Sequence, residues 1–428
     1  MVLVIVVVFK LVQSEFLNEI PDSGSRNIQY EMGVINFPRR HARSLDYENI
    51  NLQFNAYGET INLNLRNVSR FLYGPNTPVH KIFTDKQQPV IMAQNGEPIA
   101  YQRTIYEDLD HFATFTVDTF PNGSRIIQSA NIGTSNLTIF PAPLQYLQQP
   151  SRVLSVGNGL SNQYIFYRSN DLITVNIDVK IPSNIVPVTQ PPNYRVVQIP
   201  HTLYIEILII VDYPLLNKIG PDTIISYLIT FWNQVDILYR VLSQPLYKIN
   251  IAGIVIPQDG ETLGYFYKDP TYGWISQNFE FKGFLSNSAK WLYKHQKFFP
   301  LGSYDIAVTM TSRKDPVKWT PLGYKSSAGV SYLGKVCQIN HYSKEIHNTA
   351  IVFDDGSFAG IPIAAHEVGH LLGANHDNRP PCSDTDGFIM ASFVSQTSNR
   401  FKWSPCSIKD FKTFLSTDPK CLYNKPIL

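Results

Sequence analysis

The eleven residues from His366 to His376, HEVGHLLGANH, constrain this 428-residue chain more than any other stretch. His366 and His370 are four apart, and on a helix that spacing stacks two imidazoles on one face, one turn apart. Gly373 follows three residues later, where a helix must end if His376 is to reach the same point. Glycine accepts the left-handed turn that such an ending requires. Three imidazoles converging on one point suit a tetrahedral zinc ion with its fourth position open to water. Glu367, next to the first histidine, is placed to take a proton from that water. The sequence therefore predicts a helix over about Ile361 to Leu372, a turn, and His376 swung back beneath it.

What surrounds this segment has the composition of a folded protein, with 44% hydrophobic and 16% charged residues. The net charge is +2, with no strong sign asymmetry in the totals, which gives no support for a nucleic-acid partner, and none is expected. Val2 to Phe9 is an apolar run too short to span a bilayer; it suits the core of a signal peptide cut after Ser14, although a basic start is missing. No later stretch is long and apolar enough for a membrane helix, so a secreted, soluble monomer is expected. The four cysteines, Cys337, Cys382, Cys406 and Cys421, form no CxxC pair. In a secreted chain they read as two disulfides with three connectivities open.

Residues 15 to 195 read as a β-rich segment. Asn51 to Tyr57 and Ile61 to Leu65 alternate with period two around Gly58, the pattern of a hairpin. Further strands are expected at Phe112 to Val117, Leu137 to Phe140 and Leu172 to Ile181. Three glycosylation sequons, at Asn67, Asn122 and Asn136, all fall in this half. Arg40 to Arg43 (RHAR) reads as a basic processing site or a solvated loop. The Pro-containing stretch Val188 to Pro200 reads as a linker, with a cut near Tyr194-Arg195. Residues 196 to 428 then alternate strands with helices: strands at Tyr204–Asp212, Tyr247–Ile256, Tyr304–Met310, Ala328–Leu333 and Thr349–Phe353, and helices at about Thr223–Ser243, capped by Asp222, and Phe281–His295. That order argues an α/β sandwich.

HExxHxxGxxH resembles the metzincin zinc endopeptidases, and Asp377 after the third histidine resembles their reprolysin (adamalysin, ADAM-like) branch. Phe388-Ile389-Met390-Ala391 resembles the methionine turn that lies under the metal in that family. Ser392 stands where two other branches carry a tyrosine ligand, so a three-histidine site is implied. AGVSYLGKVC, residues 328 to 337, resembles the edge strand beside which substrate lies, and residues 401 to 415 resemble the C-terminal helix region. The resemblance implies an α/β metzincin catalytic domain with a mixed sheet and an active-site helix, preceded by a β-rich propeptide. It implies the pairs Cys337–Cys421 and Cys382–Cys406, structural roles for Met390, Gly373 and Asp377, and protein or peptide substrates. It further implies a structural calcium held by Glu206, Asp305, Asn424 and the Cys421 carbonyl. No cysteine precedes Cys337, so a propeptide thiolate cannot cap the zinc, and any latency must come from occlusion or another ligand. Few residues follow Cys421, which resembles catalytic-domain-only venom metalloproteinases. A competing expectation is a non-proteolytic binding protein or toxin on the same fold; loss of Glu367 would mark it, and Glu367 is present.

Overall fold

A computed structural model describes residues 30–37, 49–68, 71–85, 88–94, 101–142, 162–168, 176–180, 198–264, 268–269, 273–274, 281–313, 318–320, 323–325, 327–395 and 397–426. The signal-peptide, RHAR and Tyr194-Arg195 readings lie outside these residues. Two eight-stranded sheets dominate. The first is antiparallel and is built from β1 (Tyr30–Val34), β2 (Asn49–Ala56), β3 (Glu59–Asn67), β6 (Gln102–Asp108), β7 (Ala113–Thr119), β8 (Arg125–Ile132), β9 (Leu137–Pro141) and β10 (Gln163–Arg168), in the order β1-β10-β9-β8-β7-β6-β3-β2. The β2–β3 hairpin turns at Tyr57 and Gly58, both with positive φ, which matches strand twist in a two-residue turn. The alternation read in β2 buries Ile50, Leu52, Phe54 and Ala56 and exposes the residues between them. With Leu63, Leu65, Phe115 and Phe166 they make a core of their own.

The second sheet has the order β11-β19-β22-β16-β12-β13-β4-β5. Its centre comes from β12 (Thr202–Val211), β13 (Leu246–Pro257), β16 (Ile306–Thr311) and β22 (Thr349–Phe353), paired in parallel. The apolar run of β12 suits this place, since a central parallel strand is covered on both faces. β19 (Ser327–Tyr332) pairs antiparallel with β22, giving the mixed sheet that the resemblance implied. Three strands of this sheet come from the first half of the chain. β4 (Val79–Asp85) lies parallel to β13 and carries β5 (Gln88–Gln94) antiparallel beside it. β11 (Asn176–Lys180) lies parallel to β19 at the opposite edge. Three two-stranded ribbons, β14–β15 (Lys268–Asp269, Gly273–Trp274), β17–β18 (Lys318–Thr320, Gly323–Lys325) and β20–β21 (Ile339–Asn340, Glu345–Ile346), decorate it.

Five α-helices accompany the described strands: α1 (Tyr213–Ile219), α2 (Ile224–Arg240), α3 (Phe281–Lys294), α4 (Ile361–Leu371) and α5 (Pro405–Leu415). α1 was not anticipated, although its start is chemically explicit. The Asp212 carboxylate accepts the Leu215 N–H at 2.9 Å, and Pro214 stands in the first turn, where its missing N–H costs nothing. α2 begins after Thr223 instead of at an Asp222 cap, and the N-cap makes no side-chain bond. The turn that closes α1 supplies the contact: Ile224 N–H donates to the Gly220 carbonyl at 3.0 Å. α2 is buried at every position except Ile225 and Arg240, because it is packed between the two sheets.

Candidate metal centre and active site

α4 carries His366 and His370 with no exposure of either residue. The helix stops at Leu372, and Gly373 has φ +91°, the left-handed turn expected of it. A Cβ at Gly373 would also lie 2.7 Å from Phe414 Cβ, so glycine is required twice over. The chain then doubles back and delivers His376. The three Nε2 atoms lie 2.8 Å (366–370), 3.2 Å (370–376) and 3.2 Å (376–366) apart. Zn–N bonds of about 2.0–2.1 Å in a tetrahedron place ligand nitrogens roughly 3.3 Å apart, so the cluster has the size of a zinc cradle. The far side of two rings is fixed as well. His366 Nδ1–H donates to the Ile389 carbonyl at 2.6 Å, and His370 Nδ1–H to the Ala374 carbonyl at 2.7 Å. This hydrogen bonding selects the tautomer whose Nε2 lone pair points into the cluster. Burial holds both rings neutral: it pushes His366 well below the usual imidazole range and His370 down to about 3, with neighbouring imidazoles adding to the effect. Neutral rings are the ligand form.

The methionine turn sits underneath. Met390 is fully buried, and its Sδ lies 2.8 Å from where a Cβ on Gly369 would stand. Gly369, between the two helical histidines, is therefore a contact glycine that sequence reading passed over. Asp377 N–H donates to the Met390 carbonyl at 2.8 Å, and the Asp377 carboxylate accepts the Ser404 hydroxyl at 2.6 Å. Ser404 in turn caps α5 by accepting the Ser407 N–H at 3.0 Å. Asp377 thus ties the third-histidine loop, the methionine turn and the C-terminal helix at one buried point. Trp403 closes the back, donating its indole N–H to the Leu238 carbonyl of α2 at 2.7 Å.

Glu367 is fully buried beside the cluster, against β19. Its Oε2 accepts the Ser331 hydroxyl at 2.5 Å, and a Cβ on Gly329 would stand 2.5 Å from its Oε1. Neither Ser331 nor Gly329 was singled out from sequence. The period-two pattern of AGVSY places both on one side of β19, and that was the available signal.

Two disulfides join Cys337 to Cys421 and Cys382 to Cys406, with Cα separations of 5.7 and 6.2 Å. Far along the chain from the histidines, the structure brings Glu206, Asp305 and Asn424 together. Asp305 accepts the Glu206 N–H at 2.8 Å, and Asn424 Nδ2 donates to Glu206 at 2.5 Å. Burial pushes the Asp305 carboxyl up to about 8, and the nearby Glu206 charge adds to the rise. Two carboxylates and an amide in so small a space are an all-oxygen set of the kind calcium takes. The sequon asparagines differ among themselves. Asn67 and Asn122 are exposed, whereas Asn136 is half-buried and its Oδ1 accepts Arg400 Nη2 at 2.9 Å.

Residues 288–417 match the family described as metallo-peptidase family M12B, reprolysin-like. A Bombyx mori protein described as "a disintegrin and metalloproteinase with thrombospondin motifs like" is 36% identical over 244 residues, which is 53% of this chain and 34% of that protein. Venom metalloproteinase 2 of the wasp Eulophus pennicornis is 26% identical over 397 residues, covering 86% of this chain and 88% of its own. Venom metalloproteinase 3 of the same species is 28% identical over 327 residues, covering 74% and 71%. The chain thus spans about a third of the silkworm relative and most of the wasp ones. The match places the histidine cluster of α4 inside a metallopeptidase domain. More narrowly, the chain carries a reprolysin-like M12B metallopeptidase domain over residues 288–417, consistent with the reprolysin-type metzincins that its sequence resembles.

Proposed function

We propose that this protein is a secreted zinc endopeptidase, made with an N-terminal segment that holds it latent. One observation carries the reading: a buried carboxylate, Glu367, stands beside three neutral imidazoles whose Nε2 atoms converge within 3.2 Å of one another. His366, His370 and His376 would hold zinc, which when bound polarises the scissile carbonyl and acidifies water. Glu367 takes the proton of the attacking water and passes it to the leaving amine. Ser331 orients the carboxylate, while Ile389 and Ala374 carbonyls keep the histidines in the binding tautomer. Met390 supplies an apolar floor.

Latency without a cysteine is supported at β19. That strand touches Glu367 through Ser331, and its outer edge is taken by β11 of the chain's own first half. An extended peptide adding to that edge would run past Glu367, so β11 stands in its way. Calcium at Glu206, Asp305, Asn424 and the Cys421 carbonyl is part of the same proposal, with a structural role only. Among the described residues no helix is long and apolar enough to cross a membrane, and the venom relatives support secretion. The test is hydrolysis of a denatured protein by the full chain, before and after a cut between residues 181 and 197, with and without chelator, beside Glu367→Ala. Activity that appears on cutting and is lost to chelator and to the variant supports the reading. A folded, zinc-loaded, cut chain that hydrolyses nothing moves the function to metal-bearing recognition.

A further inference from the structure

The two halves of the chain meet along α2, and the meeting is polar as well as apolar. One side of α2 covers the parallel sheet. On a helix covering a free sheet, the other side would be solvated. Here that side carries Ser226, Thr230, Asn233 and Gln234, all buried; the side chains of Thr230, Asn233 and Gln234 find partners in β7 or β8 or the turn before them, and Ser226 offers its backbone carbonyl, its hydroxyl donating to Thr223. The Ser129 hydroxyl donates to the Ser226 carbonyl at 2.8 Å, and the Thr230 hydroxyl lies 2.8 Å from Thr116 and 2.7 Å from Ser129. Asn233 donates to Thr114 Oγ1 at 3.0 Å, and Gln234 to the carbonyls of Phe112 and Asn131 at 2.8 and 3.0 Å. At the end of the helix, Arg240 and Arg66 share Glu107, which has no solvent exposure. The first half also gives β4 to the edge of β13, and gives Leu72, Ile82, Ile105 and Phe112 to the core of the second.

We propose that residues 30–168 are a lasting subunit of the enzyme: after a cut in the connection before β12, they stay docked on α2 and β13 as a non-covalent partner. Separation would leave the Asn233 and Gln234 amides and the Thr230 hydroxyl without these partners, open the edge of β13, and pull Arg240 from the buried Glu107, leaving it only Asp236 of its own helix. Relief of occlusion then requires β11 alone to leave β19, with the larger interface intact. This inference rests on reading residues 15–195 as a segment cut from the catalytic half, and its test uses an imposed cut so that it does not depend on proteolysis.

A recognition sequence for an unrelated specific protease is placed between residues 188 and 195 of the full chain carrying Glu367→Ala, and the cut protein is run on a sizing column. The expected result is a single peak at the volume of the intact 48.6 kDa chain, containing both pieces. Elution of the pieces apart, or precipitation of the second piece alone, overturns the proposal. Glu107→Gln keeps the volume and removes the charge, and is expected to raise the dissociation constant of the cut pieces at least ~100-fold. Thr230→Arg, which forces a cation against Thr116 and Ser129, is expected to release the first piece on cutting. If both variants co-elute with undiminished affinity, α2 is not what holds the halves. The measurement is also separate from activity. A cut wild-type chain that is inert but co-elutes sinks the proteolytic reading alone, and one that hydrolyses protein while its pieces elute apart sinks this one alone.

Discussion

Gly329→Ala tests the proposed catalytic geometry without replacing any proposed ligand or the proposed base. The added Cβ would stand 2.5 Å from Glu367 Oε1 and 2.9 Å from both Cδ and Cγ, against an ordinary contact of 3.4–4 Å. Relief requires the Glu367 side chain to shift by about 1 Å, since β19 is pinned by its ladder to β22. Its other oxygen is held by Ser331, so the shift also stretches that bond. A misplacement of about 1 Å costs on the order of 100-fold in rate, or about 2.7 kcal/mol of activation free energy. Overpacking of this kind lowers stability by roughly 1–3 kcal/mol, which the rest of the domain can absorb. The assay compares kcat, KM and bound zinc in the cut wild-type and variant chains. The expected result is a kcat lower by about two orders of magnitude with one zinc still bound, because the three nearest atoms to the new methyl all belong to Glu367. Wild-type kcat in the variant would refute the claim that Glu367 is held in place by the close approach of β19. A parallel loss of zinc and activity would refute the separation of base from ligands.

Three further outcomes are expected. Calcium should raise the melting temperature of the full chain, by the equivalent of about 2.7 kcal/mol at a hundred times its dissociation constant, and Asp305→Asn should abolish that rise; a calcium-indifferent melting curve would remove the site. Replacing Cys337 and Cys421 by serine opens a loop of 84 residues and should cost about 4.5 kcal/mol in the chain-entropy account, against roughly 3.5 for the 24-residue loop of Cys382 and Cys406, as read from urea midpoints. Asp377→Ala leaves Ser404 without its carboxylate and should lower stability by roughly 1–3 kcal/mol while zinc stoichiometry stays at one; loss of zinc in that variant would make Asp377 part of the centre and not its brace.

The histidine cluster was legible because its spacing is local. His366, Glu367, His370, Gly373 and His376 lie within eleven residues; helix periodicity places the first three, and a glycine stop at Gly373 brings back His376. The central strands were legible for the same kind of reason, as continuous apolar runs such as β12 can be satisfied only where both faces are covered. What sequence could not show is which segment supplies the other side of a contact. Ser331 and Gly329 matter only because β19 happens to pass Glu367, across 36 residues of chain. The carbonyls that fix His366 and His370 belong to Ile389 and Ala374, and a backbone carbonyl leaves no mark in a sequence.

The clearest case is α2. Its residues Thr230, Asn233 and Gln234 alternate with apolar ones at helical spacing, which by pattern is the signature of one buried and one solvated face. Pattern reports polarity, not exposure, and a polar face buried against matched polar partners looks the same as one facing water. The two situations differ in energy, because an amide in water loses nothing when a distant segment leaves, whereas Gln234 would lose two carbonyl acceptors at once. The linker read between residues 188 and 200 is therefore a statement about chain connectivity. Whether it also divides two separable bodies depends on the groups across α2, where polar atoms are paired from one half to the other and Glu107 is held between an arginine from each.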